Sequence, residues 1–196
     1  MSSFQVDCMM RMKYSFFVGC IFGSSGIFDS AGILNIKKAG DEGLPSDGLF
    51  QLCLQSACAK PGNQLEAALN KASSMGGSVA RLWIAVFVRR DGNGDWGADV
   101  TANQKRLEEL VATAKAMNQA IGIFTSNDDY ETILGTNYTK LAGSPLWWQS
   151  FDDFGSFDNF VPFGGWSKPT MKQYTKKSGK GPGLGCNIDW NVSLRI

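Results

Sequence analysis

Short apolar runs that alternate with segments of helical periodicity restrict the fold of this chain more than any other sequence feature. The runs 15–22, 78–88 and 120–126 are rich in β-branched and aromatic residues, as buried strands are. Between them, apolar residues recur three and four positions apart, most clearly over 107–117. Strand and helix in alternation indicate an α/β fold with a parallel sheet and crossover helices, either a doubly wound sheet or a barrel.

Capping residues predict where the helices begin. Asp29 and Ser30 predict a helix that runs to about Ala39. Two further helices are predicted to begin at capping boxes, in which Glu or Gln follows the cap residue by three positions: Asn63 with Glu66, and Thr101 with Gln104. A short helix near 128–134 is also predicted. Two short strands are expected near 171–175 and 187–191.

Length and charge bound the domain count and the kind of partner. The 196 residues, 43% of them hydrophobic, predict one globular domain over residues 1–196. The 19 basic and 18 acidic side chains are interspersed and give a net charge of +1, so we expect neither a nucleic-acid partner nor an anionic membrane surface. No apolar run approaches the ~20 residues of a membrane-spanning helix.

The sequence contains no histidine, which excludes Ser-His-Asp and Cys-His catalytic groups and His-ligated metal sites. Any acid–base chemistry would therefore fall to carboxylates. The cysteines are not spaced as a zinc site requires, and the stretch DGNGDW at 91–96 lacks the glycine and glutamate of a calcium loop, so no metal or cofactor is expected. The odd total of five cysteines leaves at least one thiol unpaired in a monomer, whereas Cys53 and Cys58 are close enough in sequence to form a disulfide.

The N-terminal stretch RMKYSFFVGCIFGSSG has two interpretations. A basic start, an apolar stretch and a small-residue end are typical of a secretory signal. The same apolar residues also fit a buried strand. The residues upstream of Arg11 are unusual for a signal, and this favours the strand.

Aromatic residues are concentrated between positions 147 and 166, a stretch that also contains Asp152, Asp153 and Asp158. Aromatic rings beside carboxylates on loops are typical of sugar recognition, because the apolar faces of sugars stack on rings while carboxylates bind hydroxyl groups. The alternative is aromatic packing beneath a long loop. Both interpretations fit the sequence.

Longer segments resemble a known family. PLWWQSFDDFGSFDNFVPFGGWSKPTMKQYT and GCNIDWNVS resemble the C-terminal part of the amoeba- and nematode-type lysozymes related to glycoside hydrolase family 25. SACAKPGNQLEAALNK, RLWIAVF and IGIFTSNDDYETILGTNY also match in the family's order, so the resemblance covers about Phe4 to Asn191. It implies an irregular TIM-like (β/α) barrel that acts on the N-acetylmuramic acid linkages of bacterial peptidoglycan. It also implies that the segment Tyr14–Phe22 is an internal strand, so no clear signal peptide is expected, and that the protein is extracellular or lysosomal.

The resemblance also indicates which catalytic positions are kept. The family carries one Asp in its first strand, an Asp-x-Glu after Leu-Trp, and one Asp near the end of the chain. The last of these matches Asp189, whereas the Asp-x-Glu pair falls on Ala85 and Phe87, and the first strand is expected to be missing. The substrate-binding residues that the resemblance implies are Trp83, Phe87, Trp147, Trp148, Gln173 and Tyr174.

Three hypotheses follow for the function. The first is a muramidase whose catalysis is weak or lost, because a general acid contributes ~10²–10⁴ to the rate. The second is a noncatalytic protein that binds peptidoglycan or a related glycan, and the third is a truncated product without activity. An unclosed barrel would leave strand edges at 15–22 and 187–191 through which copies could associate. Asn137 and Asn191 lie in glycosylation sequences that matter only in a secreted protein.

Overall fold

A computed structural model describes residues 2–88, 96–177 and 190–195, and only the backbone of residues 4, 176–177 and 190–195. The helices within these residues are α1 (Ser3–Arg11), α2 (Ser30–Asp41), α3 (Pro61–Ser74), α4 (Val100–Ala116) and α5 (Asn127–Leu134). The strands are β1 (Phe17–Phe22), β2 (Ser46–Phe50), β3 (Leu82–Ala85), β4 (Ile121–Thr125), β5 (Leu146–Gln149), β6 (Met171–Lys177) and β7 (Trp190–Arg195).

The strands form a single sheet in chain order, and this confirms the predicted α/β class. β1 to β6 are parallel and form a curled half-barrel, while β7 pairs antiparallel with β6. The outer face packs against the helices through a core that includes Ile33, Leu65 and Leu107, each fully buried. The inner face carries a second buried cluster, so the central strands are covered on both sides, as parallel sheets require.

The helix starts were predicted with mixed success. α2 begins as expected, since Oδ1 of Asp29 accepts a hydrogen bond from the amide of Gly32 at 2.8 Å. The capping box at Asn63 is wrong, because Pro61 occupies the first helical position and already supplies the φ angle that a helix needs.

The capping box at Thr101 is also wrong. The side chain of Asp99 caps α4 by accepting from the amide of Ala102 at 3.0 Å, so the cap lies two residues earlier than predicted. Nε2 of Gln104 instead donates to the carbonyl of Leu134 at 2.7 Å, which ties α4 to the end of α5.

One central strand is absent from the sequence-based prediction. β2, with the sequence SDGLF, has an acid and a glycine where an apolar run would be expected. Gly48 is needed because a Cβ there would lie 2.9 Å from a methyl group of Val79. Asp47 is buried on the inner face and accepts a hydrogen bond from Nε1 of Trp83 at 2.9 Å. Both residues therefore fit a strand only because of their tertiary neighbours.

The N-terminal run adopts the strand conformation, and in the described part of the chain β1 and β7 are the two ends of the sheet. The predicted short strand near 171–175 is β6, and β7 covers 190–191 of the other; residues 187–189 lie outside the described residues. The predicted disulfide between Cys53 and Cys58 is present, and Cys20 is a free thiol. In the described residues, every helix is too short or too polar to span a bilayer.

Candidate functional site

Four aromatic side chains from three adjacent strands form a column on the inner face of the sheet. The rings of Trp83 and Trp147 meet edge to face at 5.7 Å, those of Trp147 and Phe124 stack at 3.8 Å, and those of Phe124 and Phe87 meet edge to face at 4.7 Å. Trp83 is fully buried, whereas Phe87 is half-buried. The column therefore runs from the interior to the mouth at the C-terminal ends of the strands, where sites of (β/α) folds lie.

Alternation along β3 determines which of its side chains face this column. Trp83, Ala85 and Phe87 all belong to the inner-face cluster, as their spacing of two residues predicts. Ala85 is 7% exposed and Phe87 lies just beyond the strand end, so both are at the mouth. Two positions that could carry carboxylates thus hold a methyl group and a phenyl ring.

A pair of amide side chains lies beside the column at the ends of β5 and β6. Nε2 of Gln149 donates to Oε1 of Gln173 at 2.9 Å, and the two residues are directly paired in the sheet register. Gln173 was predicted from the sequence, whereas Gln149 was not, although it follows Trp147 by two residues and so shares its face. The pair provides uncharged donors and acceptors at the mouth.

Trp148 lies on the opposite face of the sheet from Trp147, because adjacent strand residues alternate. It is 8% exposed, its ring meets that of Phe160 at 5.1 Å, and Nζ of Lys172 lies 4.7 Å from its ring centroid. Tyr174 lies against the loop that follows β5, since a Cβ built at Gly155 would be 3.7 Å from its Cζ. Burial raises the pKa of the Tyr174 hydroxyl. The structure therefore does not bring Trp148 to the inner-face column.

A fully buried lysine holds the loop 150–160. Nζ of Lys172 donates to Oδ2 of Asp152 at 2.7 Å, to the carbonyl of Ser156 at 2.9 Å and to Oδ1 of Asn159 at 3.2 Å. Burial by itself raises the pKa of Asp152, but hydrogen bonds from Lys172, Asn159 and the amide of Phe154 outweigh it and hold that pKa well below its ordinary range. Asp152 is thus a structural carboxylate. The sequence placed Asp152 among carboxylates beside aromatic rings, but its contact with Lys172 could not be predicted, because a buried lysine has no local signature.

Two more carboxylates face the ends of β3 without occupying the mouth. Asp47 accepts from Nε1 of Trp83 at 2.9 Å and from the amide of Arg81 at 3.2 Å, at the N-terminal end of the strand. Asp129 accepts from the amide of Val88 at 3.0 Å, which fixes the chain just after Phe87. In the described residues, no three potential metal-ligating side chains come together.

The sequence profile of a family described as "Lysozyme-like protein 1" matches residues 1–174. The chain belongs to this lysozyme-like family. It is 34% identical to Lysozyme-like protein 5 of Caenorhabditis elegans over 94% of this chain and 83% of that protein. It is 30% identical to Probable GH family 25 lysozyme 2 of Dictyostelium discoideum over 93% of this chain and 82% of that protein.

Solved structures share the fold of this lysozyme-like chain at low sequence identity. A muramidase from Trichobolus zukalii superposes with a TM-score of 0.75 at 15% identity, covering 100% of this chain and 91% of that one. A family GH25 lysozyme from Aspergillus fumigatus superposes with a TM-score of 0.72 at 14% identity, covering 87% of this chain and 81% of that one. These likenesses show the fold, while the match to the family profile and the similarity to the curated relatives confirm the family resemblance that the sequence motifs predicted.

Asp189, the predicted catalytic acid, lies outside the described residues, as do Asp91 and Asp95 of the DGNGDW stretch, which follows β3 in the sequence. The role of Asp189 stays a prediction. At the described mouth, the inner-face positions at the ends of β3 to β6 hold Ala85, Phe87, Phe124, Gln149 and Gln173, none of which can transfer a proton near neutral pH.

Proposed function

We propose that this lysozyme-like protein binds bacterial peptidoglycan at the mouth of its inner face and hydrolyses it weakly or not at all. In this proposal the half-barrel is part of an irregular TIM-like (β/α) barrel, and the protein acts outside the cell or in lysosomes. Two of the solved structures that share the fold are muramidases, which supports a glycan as the ligand.

The observation that carries the proposal is the position of Ala85 and Phe87. Both face the inner cluster at the mouth, where by the family resemblance an Asp-x-Glu pair would stand. Glycosidases use two carboxyl groups, about 5–9 Å apart, one to protonate the leaving oxygen and one to attack or to activate water. A methyl group and a phenyl ring do neither, and the loss of a general acid alone costs ~10²–10⁴ in rate.

Glycan binding does not require the two carboxyl groups that hydrolysis requires. The half-buried ring of Phe87 offers an apolar surface for a sugar face, and the Gln149–Gln173 pair offers amide groups for hydroxyl and acetamido groups. This part of the proposal concerns the mouth alone and does not require Asp189.

Two measurements on the purified chain test the proposal. We expect it to sediment with insoluble peptidoglycan and to clear bacterial cell walls at less than about a thousandth of the rate of an intact family muramidase, since two catalytic groups are replaced. Replacement of Phe87 by Leu keeps an apolar side chain but removes the ring, and should weaken binding without unfolding the protein. Clearing at an ordinary rate would contradict the loss of catalysis, and absence of sedimentation would contradict the binding role.

The proposal also includes self-association through the end strands. β1 is the first strand of the described sheet, and an unpaired strand edge can pair with a second copy. Analytical ultracentrifugation tests this, and a monomer at every concentration would remove it from the proposal.

A further inference from the structure

Two phenylalanine rings on the loop 150–160 are exposed, although most aromatic side chains of the surrounding sequence are packed. Phe151 is 49% exposed and Phe154 is 69% exposed, whereas Phe163 and Trp166 are 6% and 5% exposed. The alternative of packing in the core thus holds for Phe163 and Trp166, whereas Phe151 and Phe154 face solvent. Large apolar groups held together on a surface are typical of interaction sites.

The loop is held in one conformation by the buried lysine beneath it. Oδ1 of Asp152 accepts from the amide of Phe154 at 3.0 Å, and Oδ2 of Asp152 accepts from Nζ of Lys172 at 2.7 Å. The amide of Asp153 donates to the carbonyl of Tyr174 at 2.9 Å, which joins the loop to β6. The backbone that carries both rings is thus fixed before any ligand arrives, and this lowers the entropy cost of binding.

The loop continues directly from the proposed glycan site. It begins at Ser150, one residue after Gln149, whose amide is part of the mouth. Phe151 and Phe154 are three residues apart, so their Cα atoms lie within ~10 Å of each other. Both rings therefore belong to the segment that directly follows the β5 end of the mouth.

The charges around the rings favour a sugar chain over a membrane or a nucleic acid. The carboxylates of Asp153 and Asp158 are exposed on the same loop, and they would repel lipid headgroups or phosphates of negative charge. Carboxylates do accept hydrogen bonds from sugar hydroxyl groups, while the flat apolar faces of pyranose rings stack on phenyl rings.

We propose that Phe151 and Phe154 form a second binding platform, which stacks against pyranose rings of a glycan strand that extends beyond the mouth. This inference rests on the proposed glycan-binding function and adds to it a preference for long strands over short fragments. The platform binds substrate and carries no proton-transfer step.

The test compares two ligands, soluble peptidoglycan strands of many disaccharides and a single disaccharide fragment. Phe151→Ala and Phe154→Ala should each weaken binding of the long strands by roughly 2- to 12-fold, the equivalent of one aromatic contact, and leave the affinity for the fragment unchanged. Phe154→Tyr keeps a ring and should bind as the unmodified protein does. Leu34→Ala is the matched control, since Leu34 is 51% exposed on α2, a helix that packs against β1 and β2.

The affinities of the variants for the two ligands support or overturn the inference. Unchanged affinity of both alanine variants for long strands overturns it, and equal weakening for strands and fragment places the rings in the mouth and overturns the separate platform. If the unmodified protein binds neither ligand, the proposed function itself fails. Because both rings are exposed, thermal unfolding should show that all variants are folded.

Discussion

Replacement of Lys172 by methionine should lower the free energy of unfolding, although Lys172 lies on β6, next to the last strand of the described sheet. The lysine side chain is fully buried, and Nζ makes hydrogen bonds to Asp152, Ser156 and Asn159 at 2.7, 2.9 and 3.2 Å. Removal of one partner of a buried pair costs ~3–5 kcal/mol when the other charge stays buried. The side chain of Asp152 is 21% exposed and keeps other donors, so we expect a loss of about 2–4 kcal/mol.

Urea-induced unfolding followed by tryptophan fluorescence measures this loss. The control is Lys140→Met, the same substitution at an exposed ion pair with Glu108 of similar length, 2.8 Å, and it should leave the free energy of unfolding unchanged. If Lys172→Met unfolds at the same urea concentration as the unmodified protein, the lysine does not hold the loop as inferred.

The pH dependence gives an independent check of the same interaction. The pKa of Asp152 is lower in the folded chain than the ordinary value of ~4, so its contribution to stability is present above that pH and is lost as the pH falls below it. Lys172→Met removes a main cause of the low pKa. The variant should therefore lose less stability than the unmodified protein between neutral pH and acid, and an identical acid profile would refute the reasoning.

Two further substitutions test the inner face and the disulfide. Gly122→Ala should lower the melting temperature, because a Cβ at this position would lie 2.3 Å from Cζ3 of Trp83 and overpacking costs ~1–3 kcal/mol. Gly40→Ala is the control and should not lower the melting temperature, because the space around a Cβ there is open. Replacement of both Cys53 and Cys58 by serine should cost about 2 kcal/mol, since their bond closes a short loop with a sequence separation of 5, and an unchanged urea midpoint would contradict this.

The local patterns of the sequence predicted most of the elements of the fold. The period of two residues on β3 correctly placed Trp83, Ala85 and Phe87 on one face, because strand geometry fixes that alternation whatever the neighbours are. The cap at Asp29 was correct for the same reason, since a helix start needs only residues nearby in sequence. Where two local signals competed, as with Pro61 and Asn63, the sequence did not show which would prevail.

Features that depend on distant contacts could not be predicted. Asp47 fits inside the half-barrel only because the indole of Trp83, 36 residues away, donates to it. Alternation places Trp147 and Trp148 on opposite faces, but only the tertiary contacts show that Trp147 joins the inner column and Trp148 packs against Phe160.

By itself, the sequence determined the family and the α/β class, and it showed Ala85 and Phe87 at the two positions where the family resemblance implies an Asp-x-Glu pair. These depend on residue identity and on spacing along the chain. Only the tertiary structure decided that Lys172 is buried and that Phe151 and Phe154 are exposed. The physical reason is that burial depends on which segments fold over a side chain, and a loop such as 150–160 takes its shape from partners on another strand.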